Sequence, residues 1–327
     1  MRKVGILLTG GTIATDCTST SEHPVPSLTG QDFQQRLTQH LPDDLEIVSE
    51  DILNIPGAHI SLENIQKISR KVNRYAQQND WDGMVITHGT DTMEESAYLV
   101  HLCYSGSLPV VYTGAMRSAN EAGYDGLRNL ISSIHVAISP QATNLGTLIV
   151  MNEQIHSAKE LRKLHTQRVD AFQSPPYGPV GEIAFGRVSI TRTVVRPSPV
   201  LEPKCASPVP LISLTAGFEE TLLDALREIT PRGIVIEALG GGRVPPNILP
   251  HLIRFIKIGI PVVMTTRCGI GPVVDAYGYE GAHRHLKELG CYFAHYLSGS
   301  KARIKLMLAL GNGLTHGSQL RDFFEDR

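Results

Sequence analysis

The sequence is poor in the features that would assign it quickly. It has five cysteines, Cys17, Cys103, Cys205, Cys268 and Cys291, an odd number, widely spaced and without a CxxC. That excludes a disulfide framework and a zinc ribbon, and it points to buried thiols in a reducing compartment. It has no basic excess: 30 Lys and Arg stand against 32 Asp and Glu, a formal net charge of -2. Neither a nucleic acid nor an anionic membrane is therefore an expected partner, and a small neutral or zwitterionic one is. Long apolar runs are also missing. The run after Arg2-Lys3 stops at Thr9-Gly10-Gly11, too short for a signal peptide, so a cytoplasmic protein is expected. The chain carries no HExxH, GxxxxGK[ST] or GxSxG motif. His283 and His285 stand one residue apart on an expected helix, off a common face, and are not read as a metal site.

What is present is a soluble composition, 42% hydrophobic and 19% charged over 327 residues, enough for two cored domains. Apolar runs at Val4–Leu8, Gly83–Thr87, Leu108–Thr113 and Gly146–Met151 each end in small, glycine-bearing or hydroxyl-bearing residues or lead into a polar segment, and helical stretches lie between them. Near-continuous apolar strands alternating with helices predict a mostly parallel sheet. Ser61 with Asn64 is expected to open a helix whose stripe is Ile65, Ile68, Val72 and Tyr75. Residues 193–210 hold five prolines and are expected to be a semi-extended linker. After it a second strand and helix series runs from Leu211 to Thr265, closed by helices near His283–Leu289 and Ser300–Leu310. The predicted fold is thus α/β, with a larger N-terminal domain at 1–192 and a smaller C-terminal α/β domain at 211–327.

Two strand ends concentrate hydroxyls. The first, Thr9-Gly10-Gly11-Thr12, presents Thr12 where adjacent glycines admit a ligand to the backbone. The second is His88-Gly89-Thr90-Asp91-Thr92. Thr92 and Glu95 have the spacing of a capping box, which leaves Thr90 and Asp91 without a structural task; His88 reads as a structural histidine. Threonine is a weak nucleophile and needs a base and an oxyanion site. A lysine with a burial-depressed pKa relaying a proton through a second threonine, and glycine-flanked amides, would supply them. Residues 16–30, rich in Thr, Ser and Pro, have the makings of a loop over Thr12.

TGGTIA at 9–14 and THGTDTMEE at 87–95 closely resemble the two signatures of the bacterial-type L-asparaginase family. GAMRSANEAGYDG, VMNEQIH, FQSPPYGPVG and KARIKLMLAL extend the resemblance over the whole chain. It implies a hydrolase of asparagine or a related amide that needs no cofactor or metal and forms a homo-oligomer, a dimer or tetramer. Carried over by motif, Thr12 would be the nucleophile, and Thr90, Asp91 and Lys163 the second catalytic set, with Asp91 also holding the substrate ammonium. Ala115 would contact the scissile amide through its backbone, and Glu280 would match an acid that reaches a neighbouring subunit's site. Three positions depart from the family. Residues 16–30 contain no tyrosine, with His23 near its place; Gly57, followed by Ala58, aligns with a carboxylate-binding serine; and Arg243 stands for an asparagine in Gly240-Gly241-Gly242-Arg243. A different amide, such as glutamine or D-asparagine, and a catalytically weak amino-acid sensor are the alternative readings.

Overall fold

The computed structural model describes residues 1–15, 26–37, 40–78, 80–196, 198 and 201–325. The loop expected over Thr12, with His23, falls largely outside the described residues. The chain divides into two compact units, Met1–Arg196 and Pro197–Arg327.

The first unit is built on an eight-stranded sheet. Its parallel part comprises β1 (Arg2–Gly10), β2 (Leu45–Ile55), β3 (Gly83–Thr87), β4 (Val110–Thr113) and β5 (Thr147–Met151), in the spatial order β5-β4-β3-β1-β2. Four helices cover it: α1 (Gly30–Leu37), α2 (Leu62–Ala76), α3 (Met93–Cys103) and α4 (Gly126–Ala137). Because side chains alternate along a strand, one face sends Val4, Ile6, Leu8, Val85 and Val111 into a core with Phe33, Leu130 and Ile134. The other face sends Leu7, Met84, Ile86 and Tyr112 against Ile68, Val72, Ala97 and Val100. A sheet buried on both faces leaves only its strand ends for polar chemistry. The start of α2 is as expected: the Ser61 hydroxyl accepts the Asn64 amide at 3.2 Å, and Asn64 Oδ1 accepts the Ser61 amide at 2.9 Å.

Beyond β5 the sheet turns antiparallel through β6 (Gln154–Ser157). Next come two short strands outside it, β7 (Arg162–Lys163) and β8 (Phe172–Gln173), which pair only with each other, before β9 (Gly181–Ala184) and β10 (Arg187–Ile190) rejoin the sheet. In the sequence this stretch reads as a polar segment. Left-handed backbone at Asn152 and Glu153 (φ 49° and 61°) closes one hairpin, and at Phe185 and Gly186 (φ 50° and 73°) the other, as tight two-residue turns require.

The second unit is a parallel sheet of β11 (Leu211–Ser213), β12 (Ile234–Ala238), β13 (Val262–Thr266) and β14 (Tyr292–Phe293) in that order. Its helices are α5 (Thr221–Glu228), α6 (Leu249–Lys257), α7 (His283–Leu289), α8 (Gly299–Gly311) and α9 (Gly317–Glu325), the last not foreseen from the sequence. The later part of the proline-rich stretch is bound to α8. The Ala206 amide donates to the Met307 carbonyl, Arg303 Nε donates to the Val209 carbonyl, and Asn312 Nδ2 donates to the Glu202 and Lys204 carbonyls. The end of this stretch continues toward β12, where the Arg232 and Val235 amides donate to the Pro208 and Pro210 carbonyls at 2.8 and 3.0 Å, so its carbonyls are shared between the α8 region and the approach to the sheet.

Candidate active site

β1 and β3 are zipped at their ends, where the Thr9 hydroxyl donates to the Thr87 carbonyl at 2.8 Å. Past that bond three glycines meet. A Cβ placed on Gly11 would lie 2.5 Å from Gly89 Cα, and one on Gly57 would lie 2.9 Å from the Gly89 carbonyl carbon. No side chain fits between backbones this close. The contact sets the Thr12–Ala14 turn beside the segment that carries Thr90 and Asp91. Gly10 and Gly11, at φ 93° and 80°, supply the reversal that β1 needs to reach it.

Thr90, Asp91 and Lys163 come together although 72 residues separate the last two. Lys163 Nζ donates to Thr90 Oγ1 at 2.9 Å and to Asp91 Oδ1 at 2.8 Å. β7 carries Lys163, and its amide donates to Glu94 Oε2 at 3.1 Å, so the lysine is held at both ends. Thr90 is buried, whereas the Asp91 side chain is 60% exposed. Asp91, Glu94 and Lys163, with Leu164, His165 and Thr166, line a cleft of about 410 Å³. A lysine nitrogen and a hydroxyl in contact, beside a carboxylate open to solvent, form a path for a proton and a place to receive a cation from outside.

Thr92 does not cap α3. Its backbone is at φ -119°, ψ 10°, and its hydroxyl donates instead to the Gly57 carbonyl at 2.8 Å, fastening the glycine contact. His88 is fully buried, and its Nδ1 lies 2.8 Å from the Gly89 carbonyl oxygen. Burial disfavours the imidazolium and pushes its pKa down to about 4, so the ring is a neutral part of the framework.

Ala115 is buried after β4, in a turn held from behind. The Asp125 carboxylate accepts the amides of Met116 and Arg117 at 3.0 to 3.1 Å, and Asn129 Nδ2 donates to the Gly114 carbonyl at 3.0 Å. Neither Asp125 nor Asn129 stands out in the sequence. The Asp-Gly pair opening α4 was the available signal, and it reads as an ordinary helix start.

Residues 3–196 match the family described as Asparaginase, N-terminal, and residues 208–324 match the Glutaminase/Asparaginase C-terminal domain. The chain belongs to the asparaginase family. It is a hydrolase acting on amide bonds. A probable L-asparaginase of Deinococcus radiodurans is 34% identical over 98% of this chain and 97% of its own length. A glutaminase-asparaginase of Pseudomonas fluorescens is 29% identical over 95% and 86%. Among solved structures, a probable cytoplasmic L-asparaginase from Campylobacter jejuni superposes with a TM-score of 0.90 at 29% identity, covering all of both chains.

As an asparaginase-family site, the constellation shows where this chain differs. Position 57 has no room for the expected serine side chain, so Gly57 offers only its backbone there, while Ala58 and His59 are exposed on the same turn. Arg243 and Glu280 belong to the second unit. The Arg243 guanidinium lies 4.4 Å from the centre of the Tyr277 ring, and Glu280 is exposed. His283 stacks on Phe293 at 3.9 Å and His285 Nδ1 accepts the Gly281 amide, so both rings have structural partners. Among the described residues no three His, Cys, Asp or Glu side chains gather as a metal would need. Nor is any helix there long and apolar enough to cross a membrane.

Proposed function

We propose that this chain hydrolyses the side-chain amide of L-asparagine to L-aspartate and ammonia through a covalent intermediate on Thr12. The observation that supports the reading is the Lys163 Nζ contact with both Thr90 and Asp91, on the segment packed against the Thr12 turn, a grouping suited to relaying a proton and to receiving a cation. Thr12 Oγ bonds to the amide carbon as its proton passes into the Thr90–Lys163 pair. The C–N bond then breaks, and the returning proton leaves with nitrogen as ammonia. Water cleaves the resulting ester, releasing aspartate and restoring Thr12. Asp91 holds the substrate ammonium, and backbone at Ala115 and Gly57 contacts the substrate. By the resemblance, Arg243 takes part in substrate recognition and Glu280 matches an acid that reaches a neighbouring subunit's site, and the working form is a cytoplasmic homo-oligomer. The resemblance supports these last assignments, and the name of the Campylobacter protein supports the compartment.

The test is ammonia release from L-asparagine, D-asparagine, L-glutamine and simple amides, with Thr12→Ala run beside the parent. Loss of a covalent nucleophile should cost at least about 10³-fold in kcat without unfolding the protein. Thr12-dependent turnover of L-asparagine supports the proposal. Turnover confined to L-glutamine, a substrate class named in the Pseudomonas relative, would reassign specificity, and an active Thr12→Ala would remove the nucleophile.

A further inference from the structure

We propose that Tyr124 is a positioning residue for the nucleophile turn, an inference that rests on Thr12 being the nucleophile. Its phenol donates to the Ile13 carbonyl at 2.8 Å, across 111 residues of sequence. Ile13 follows Thr12 within the single turn Thr12–Ala14, so the bond restrains the peptide adjoining the reacting hydroxyl. A second strut joins the same regions, with the Ala119 amide donating to the Thr15 carbonyl at 2.9 Å.

The ring is seated as well as bonded. A Cβ on Gly126 would lie 2.5 Å from Tyr124 Cε2 and Cζ, so the phenol folds back over the first residue of α4 where only glycine admits it. The next residue, Asp125, occupies the N-cap position of α4 yet makes no side-chain cap bond to its own helix. Its carboxylate is turned to Met116 and Arg117, beyond Ala115. Consecutive residues therefore hold the two turns between which the amide carbon must sit: Tyr124 the Thr12 turn, Asp125 the Ala115 turn. Small displacements between nucleophile and electrophile lower rate without weakening ground-state binding, and Tyr124 is placed to prevent such a displacement.

Tyr124→Phe keeps the ring on Gly126 and deletes only the donor. Tyr75→Phe is the control, because Tyr75 likewise spends its phenol on a bond within the first unit, to Glu50 at 2.6 Å, away from these turns. We expect Tyr124→Phe to lower kcat on the order of tenfold with KM within about twofold. Gly126→Ala, which displaces the ring, should act in the same direction. Tyr75→Phe should change Tm by a similar amount and leave kcat alone. If Tyr124→Phe retains the parent kcat, or changes only Tm as the control does, the inference is overturned while the nucleophile assignment stands. If Thr12→Ala itself turns over the amide, both fall.

Discussion

The glycine-rich strand ends of the two units use the same residues for opposite purposes. In the first unit, Gly11, Gly57 and Gly89 let three backbones touch, and the side chains flanking them, Thr12 and Thr90-Asp91, are those proposed to react. In the second, Gly240, Gly241 and Gly242 follow β12 and make a reversal closed by the Leu239–Arg243 pairing, and the space they leave is taken by a side chain. A Cβ on Gly240 would lie 2.9 Å from Arg243 Nη1. Arg243 then lies over Tyr277, with its Nε buried and without a hydrogen-bond partner among the described residues. Glycine clusters look alike in sequence. What separates them is whether the vacated volume admits another backbone, which fixes a geometry, or a side chain, which can be exchanged.

Substituting the first cluster should therefore have the larger effect. Gly89→Ala and Gly57→Ser should each cost about 3 kcal/mol in denaturant unfolding, with turnover lost, because rigid backbone cannot give way. Ala58→Ser, on the same turn but exposed, should leave stability within about 0.5 kcal/mol. Equal tolerance at 57 and 58 would break the comparison.

An effect of intermediate size concerns acid. His88 is neutral and buried, and its folded pKa of about 4 lies below the ordinary 6.5. As pH falls through 6.5 the unfolded chain takes up a proton that the folded chain refuses until about 4. Stability is thus complete above 6.5 and declines on the order of 3 kcal/mol across that window. Denaturant midpoints at pH 7 and 4.5 should show this decline, and His88→Phe should flatten it. The smallest effect belongs to the second cluster. Removing the stacked cation in Arg243→Ala should cost about 1 kcal/mol or less in unfolding free energy, since Tyr277 is half exposed. A cost matching that at Gly89 would show the second reversal to be as fixed as the first.

The contrast also marks what could be read before folding. β1, β3, β4 and β5 are continuous apolar runs, and their ends, with Thr12, Thr90 and Asp91, stand out locally. The capping pair at Ser61 and Asn64 is local too. At Thr92 the same logic fails, because its spacing to Glu95 suggests a cap while its hydroxyl is taken by Gly57, 35 residues away. Gly57 fails in the same way, since alignment offers it a serine and only the position of Gly89 forbids one. β6, β9 and β10 are four residues each, too short for periodicity, and their turn residues Asn152 and Phe185 are uncommon signals. Tyr124 was invisible because its partner lies 111 residues upstream.

The strap at 202–210 has a consequence for biosynthesis. Every strand of the first unit has its sheet partners once Ile190 has been made, so that sheet can form while the remainder is still being translated. The strap cannot settle so early, because Arg303, Met307 and Asn312, which hold it, emerge about a hundred residues later. During that interval a growing chain carries a finished sheet followed by a proline-rich tether that lacks its α8 partners and is fixed only at its far end by Arg232 and Val235, and chaperones or proteases meet the tether first.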